Sequence, residues 1–325
     1  MLTGICSRCL VLKVTLKVSA ASCVLAWARV NRRTFSKLLL GAPLLRAQDS
    51  ATVKVGGAEI DVSMRGDFDL SRDQLLEWVN LSARSVTAYY GKFPVPHAGV
   101  TIVQGRRGRG VSNGRSFGEG GARCRISVGQ HSTSDDLKED WMLTHEMVHY
   151  GFPSVDREHH WIEEGSATYV EPIARAAIGN LSVERVWGDM VRDMPQGLPE
   201  AGDQGLDNTH TWGRTYWGGA LFCLLADVGI RKHTDCRKGL VDALRAINHA
   251  GGNIQIDWPL KRAFQIGDRA TGGKVLTTLY GQMAAEPMPV DLADLWRQLG
   301  VRSEGPHVAF DASAPLALVR AAICS

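Results

Sequence analysis

No acidic residue occurs before Asp49, yet the same stretch carries eight cations: Arg8, Lys13, Lys17, Arg29, Arg32, Arg33, Lys37 and Arg46. Without this leader, 29 basic residues face 34 acidic ones, so the remaining body carries −5 rather than the +3 of the full 325-residue chain. A mildly acidic body lacks the positive surface that phosphate backbones demand, which argues against nucleic acid as the main partner. Cysteine is sparse. Cys6, Cys9 and Cys23 lie in the leader, and Cys124, Cys223, Cys236 and Cys324 are spread over the rest. Such spacing is no disulfide scaffold, and Cys6-Ser7-Arg8-Cys9 is a CxxC without a second pair. Long apolar runs are also missing: the uncharged stretch Val18 to Ala28 is too short to cross a bilayer. There is no G-x-x-x-x-G-K-S/T phosphate loop and no internal repeat. What remains is an ordinary globular composition, 44% hydrophobic and 22% charged, long enough for one large domain or two modest ones.

The leader, residues 1–48, reads as a targeting segment. Asn31-Arg32-Arg33-Thr34-Phe35-Ser36-Lys37 resembles a twin-arginine export signal, and the apolar stretch Leu38 to Leu45 follows it. Translation starting at Val30 would make that signal compact. The expectation is an exported protein, periplasmic or secreted, without a stable membrane span. Residues 49–325 then form the folded body, with a sheet-containing half to about residue 150 and a mainly helical half after it.

Within the body, Thr52 to Val62 reads as a hairpin about Gly56-Gly57. Leu75, Leu76, Val79, Ala83 and Val86 recur at helical spacing behind the cap candidates Ser71 and Asp73, predicting an amphipathic helix that ends near Gly91. Val100 to Val103 and Cys124 to Val128 read as strands. Between them, Gly105 to Gly121 is rich in glycine and arginine and reads as a solvated loop, with a substrate-contacting loop as the alternative. From Asp135 to about Gly300 the pattern is mainly helical. Pro172 is expected to bend or end one helix, and the apolar tail Ala314 to Cys324 is expected to dock on the body.

The chemistry lies in Leu143-Thr144-His145-Glu146-Met147-Val148-His149-Tyr150, which contains H-E-x-x-H. Positions i and i+4 share a helix face, so His145 and His149 can point two imidazoles at one ion. Glu146, next to the first histidine, would place a carboxylate beside the metal, able to take a proton from water. A catalytic zinc site wants a third protein ligand and an open position. The second candidate helix, Trp161-Ile162-Glu163-Glu164-Gly165-Ser166-Ala167, begins shortly downstream, and by distance along the chain Glu163 and Glu164 compete for that role. His159 and His160 read as loop residues. Thr168 is a candidate to orient a ligand, and His210 and Arg214 are candidates for substrate contact or for a solvated loop.

H-E-x-x-H followed by W-L/I-x-E-G-x-A resembles the gluzincin pattern of aminopeptidase N-like and glycyl aminopeptidase-like zinc metallopeptidases. The resemblance implies one zinc per chain on His145, His149 and Glu164, with Glu163 on a non-ligand position. It implies peptide or protein substrates, hydrolysed as Glu146 assists attack by zinc-bound water. Arg214-Thr215-Tyr216-Trp217-Gly218-Gly219 looks like the family's tyrosine segment Y-x-K-G-x-L. There Tyr216 would stabilise the oxyanion, although Gly218 stands where the family has lysine. The exopeptidase signature G-x-M-E-N is absent, and Ser116 to Gly121 occupies that region, which leaves endo- and exopeptidase both open. The implied fold is α+β, a thermolysin-like zincin: a small twisted sheet with the active-site helix beneath it, then a mainly helical half. The strand Cys124 to Val128 is expected to pair with an extended substrate. The rival reading is a noncatalytic zincin-fold binding or structural protein, against which an intact Glu146 argues.

Overall fold

A computed structural model describes residues 49–305 and 307–325, so the readings placed on the leader lie outside the described residues. Strands β1 (Asp49–Val55) and β2 (Ala58–Arg65) form the expected antiparallel hairpin, with both Gly56 and Gly57 at positive φ in the turn. Helix α1 (Arg72–Tyr90) follows. The Ser71 side chain accepts from the Gln74 amide to cap its start, and Gly91 ends it in the left-handed conformation. Strands β3 (His97–Gln104), β4 (Val111–Phe117) and β5 (Arg123–Val128) complete a five-stranded sheet in the order β1-β2-β3-β5-β4. The β2–β3 and β3–β5 pairs are parallel and the β4–β5 pair is antiparallel.

Two expectations fail in this sheet. The glycine- and arginine-rich stretch is no free loop: residues 111–117 are the edge strand β4. Cys124 to Val128 therefore cannot pair with a substrate, because β3 and β4 occupy both of its edges. Little in the local pattern of β4 announces a strand. Its pairing is imposed by the apolar strand β5, whose Cys124, Ile126 and Val128 are buried.

The remainder is mainly helical, as expected. Helices α2 (Ser134–Glu139) and α3 (Met142–Val148) are followed by α4 (His160–Ala177), α5 (Val183–Asp193), α6 (Gly219–His233) and α7 (Leu240–His249). Then come α8 (Leu260–Thr271), α9 (Val275–Met283), α10 (Leu292–Leu299), a small hairpin of β6 (Val301–Glu304) and β7 (His307–Phe310), and α11 (Ala317–Ile323). The tail docks as expected, with Ala317, Val319 and Ile323 buried.

Pro172 neither ends nor divides α4, which runs through it to Ala177. An interior proline costs a helix about 3 kcal/mol. Burial of Trp161, Tyr169, Val170 and Ile173 on the same helix offsets that cost. The helical pattern from Asp135 is in fact two helices, broken at Asp140. That carboxylate accepts the Met142 and Leu143 amides at 3.0 and 3.1 Å and so caps the start of α3. Cys124, Cys223, Cys236 and Cys324 form no disulfide among the described residues. No described helix is long and apolar enough to cross a membrane.

Candidate metal centre

Helix α3 lies against β4, β5 and α4. Leu143, Met147 and Val148 anchor it in the core, which leaves His145, Glu146 and His149 to face the cleft. Opposite them, α4 presents Glu164. The approach of α4 to α6 is set by two glycines: a Cβ on Gly165 would lie 2.2 Å from the Gly219 backbone, and one on Gly219 would lie 2.1 Å from the Trp161 carbonyl oxygen. No side chain fits there, so the helices meet backbone to backbone.

The ligand-type atoms of His145, His149 and Glu164 all lie within 4.8 Å of one another. Glu164 Oε2 is 3.1 Å from His145 Nε2 and 3.6 Å from His149 Nε2. A tetrahedral ion with bonds of about 2.0 Å would separate its donors by about 3.3 Å, so this donor set fits zinc. Burial lowers the pKa of His149, favouring the neutral imidazole that a metal needs. Burial pushes the Glu164 carboxyl up, but hydrogen bonds from His145 and His160 outweigh it, and the net direction is strongly down.

Glu146 stays out of this trio. Its Oε2 accepts from Ser116 Oγ on β4 at 2.6 Å. Burial raises its pKa above the ordinary carboxylate value, against the pull of His149 and Ser116. Beside it, the β4–β5 register breaks between Ser112 and Arg115, and Asn113 adopts a positive φ. This irregularity carries Gly114 over Glu146, where an added Cβ would lie 2.6 Å from Oε1.

Tyr216 stands in a five-residue π-helix, Arg214–Gly218, a wider turn that commonly marks functional positions. Its ring stacks on His145 at 6.1 Å between centroids and on Trp212 at 5.5 Å. Burial and the Glu164 carboxylate raise its phenol pKa, so it keeps its proton as a donor. Arg214 is no solvated loop residue: it is buried and paired with Asp203 at 2.6 Å, fastening the turn that carries Tyr216. Tyr216 also lines two cavities. One, of about 430 Å³, holds Arg115, Glu146, His149 and His160; the other, of about 400 Å³, holds Trp141, His145, Trp212 and Trp217.

The other candidate residues resolve differently. Thr168 Oγ1 has no hydrogen-bond partner among the described residues and so orients no ligand. His159 is buried on Asp207, which also accepts from Trp161 Nε1 and Tyr280. His160 is no loop residue: it opens α4 and lies against Glu163 and Glu164. Sequence reading missed two overlapping matches to the G-x-S-x-G of serine hydrolases, Gly110-Val111-Ser112-Asn113-Gly114 and Gly114-Arg115-Ser116-Phe117-Gly118. Both run along strand β4 rather than a strand-to-helix elbow; Ser112 is buried opposite Ser127 and Ser116 donates to Glu146.

No protein-family model matches the chain, and no curated protein matches it. Among solved structures it is similar to an aminopeptidase N family protein from Idiomarina loihiensis, at 14% identity and a TM-score of 0.59 over 78% of this chain and 49% of that one. It is similar to a mutant two-domain M1 zinc metallopeptidase bound to L-arginine, at 14% identity and a TM-score of 0.50 over 75% of this chain and 53% of that one. A mutant M1 zinc metallopeptidase from Deinococcus radiodurans, bound to a Tyr-Ser-Ala substrate, is similar at 13% identity and a TM-score of 0.50 over 74% and 53% of the two chains. This chain spans about half the length of these structures. At such identities the likeness is one of fold: a mixed α/β body with a small sheet and many helices, similar to M1 peptidase domains.

Proposed function

We propose that this protein is a zinc-dependent peptide hydrolase of the gluzincin kind, built on a zincin fold, with His145, His149 and Glu164 as ligands and Glu146 as general base. One observation carries the reading. Glu164 Oε2 converges on the two imidazoles, while the neighbouring Glu146 carboxylate is held off them by Ser116 and faces the same cavity. The fold likeness to M1 zinc metallopeptidases supports it.

Zinc, when bound, would polarise a peptide carbonyl and acidify water. The chain's own residues supply the rest. Glu146 takes the proton of the attacking water and passes it to the leaving amine, a task suited to a carboxyl whose pKa is raised by burial. Tyr216, still protonated, donates to the carbonyl oxygen as charge builds there. An extended peptide adds to β4, whose outer edge is unpaired among the described residues. The cavity of Trp141, Trp212 and Trp217, lined also by Glu139, Arg185 and Asp189, offers room for a large side chain beside Tyr216.

A quenched-fluorescent peptide library with zinc analysis tests the proposal. Wild type should bind about one zinc per chain and cleave peptides. Glu146→Gln should keep the zinc and lose at least about 100-fold in turnover, the scale of general-base catalysis. Glu164→Gln should lose both. Undiminished turnover in Glu146→Gln would reject the mechanism.

A further inference from the structure

The two adjacent glutamates of α4 have different partners, and this points to a device beyond the ligand set. The Glu163 carboxylate is fully engaged away from the imidazoles of His145 and His149. Its Oε1 accepts the Val155 amide at 3.1 Å and its Oε2 lies 2.8 Å from His160 Nδ1. The other ring nitrogen, His160 Nε2, lies 3.3 Å from Glu164 Oε1. Glu164 therefore divides its two oxygens: Oε2 faces His145 and His149, and Oε1 faces His160. The positions 160, 163 and 164 stand at i, i+3 and i+4 on one helix face, which brings the three side chains together.

We infer that His160, itself oriented by Glu163, is a positioning residue that fixes the Glu164 carboxylate so that a single oxygen is turned to the metal. The inference rests on the metal-site reading above. A glutamate carboxylate rotates broadly about its last torsion. Without His160, Glu164 would keep only the Tyr216 hydroxyl as a partner besides the two imidazoles and could offer both oxygens to an ion. An imidazole on its outer oxygen removes that freedom. The same imidazole also lies against Glu163, whose carboxylate in turn orients the ring. The side chain of His160 is 51% exposed and that of Glu163 is 21% exposed, so packing does not explain their arrangement and replacing them opens no core cavity.

The test compares full-length wild type with His160→Ala, His160→Gln and Glu163→Gln. Zinc affinity is measured by competition with a chelator, coordination by the visible spectrum of the cobalt-substituted protein, and fold by the melting temperature of the metal-free form. His160→Ala should weaken zinc binding roughly 10- to 100-fold, as loss of a ligand-orienting partner does. Its cobalt spectrum should change and its metal-free melting temperature should hold. His160→Gln, whose amide can replace Nε2 as a donor, should recover most of the affinity and the wild-type spectrum. Glu163→Gln should fall between the two. If His160→Ala binds zinc within about twofold of wild type and keeps its cobalt spectrum, the positioning role is wrong while the metal site stands. If wild type takes up neither metal, the site itself is overturned, and the positioning role with it.

Discussion

Ser116 Oγ lies 2.6 Å from Oε2 of Glu146 and 2.8 Å from its backbone carbonyl oxygen. The edge strand thus holds both the side chain and the main chain of the residue proposed as base. A hydrogen bond to the ionised carboxylate favours the charged form, and Ser116 does lower the Glu146 pKa against the larger effect of burial. Ser116→Ala should therefore raise that pKa further and shift the acid limb of the pH–rate profile to higher pH. Turnover at neutral pH should fall roughly 10- to 100-fold, since a hydrogen bond to a charged group contributes about 1.5–3 kcal/mol. Zinc content should be unchanged. A pH profile identical to wild type would show that the contact does not tune the base.

The glycine contact between α4 and α6 admits no added carbon. Gly165→Ala would set its Cβ 2.2 Å from the Gly219 backbone, where no flexible side chain can yield. The helices would have to separate, and overpacking of this kind costs roughly 1–3 kcal/mol or more. Urea unfolding should register that loss. Zinc affinity should fall as well, because Glu164 moves with its helix. A variant as stable as wild type would mean that the approach is looser than described.

Glu171 offers a test by pH, away from the ligands. Burial pushes its carboxyl up to about 7, against the pull of Arg175 at 3.0 Å. The folded pKa lies above the unfolded one, so the contribution to stability is complete below about pH 4.5 and is lost as pH rises through about 7. The loss is roughly 3 kcal/mol, from about 1.4 kcal/mol per pKa unit. Asp140, raised by burial to about 6, adds a slope of the same sign. Glu171→Gln should flatten the fall in unfolding free energy between about pH 5 and 8, measured with a chelator present at every pH. An unchanged slope would assign the dependence elsewhere.

We propose that the leader, which lies outside the described residues, directs export. Replacing Arg32 and Arg33 together by lysine should strand the protein in the cytoplasm, because the arginine pair is what a twin-arginine translocase reads. Fractionation of cells carrying each form would check it, and unchanged export would point to another route.

Local order is legible along the chain wherever consecutive residues encode it. The 3.6-residue apolar spacing of α1, bounded by Ser71 and Gly91, announces both its face and its ends. His145 and His149 share a face by helix geometry alone, and family resemblance selects Glu164 over Glu163; the structure brings those three together. Tertiary structure decides what no stretch of neighbours contains. It makes residues 111–117 an edge strand, because β5 supplies a partner that their own composition does not request. It carries α4 through Pro172, because buried side chains on that helix outweigh one missing hydrogen bond. It turns His160 from a loop residue into a partner of two glutamates, and Arg214 from a solvated residue into half of a buried ion pair with Asp203. Periodicity and caps act over a few residues and can be read from order alone. Strand edges, helix crossings and ion pairs join distant residues, and only the packed core decides which of them meet.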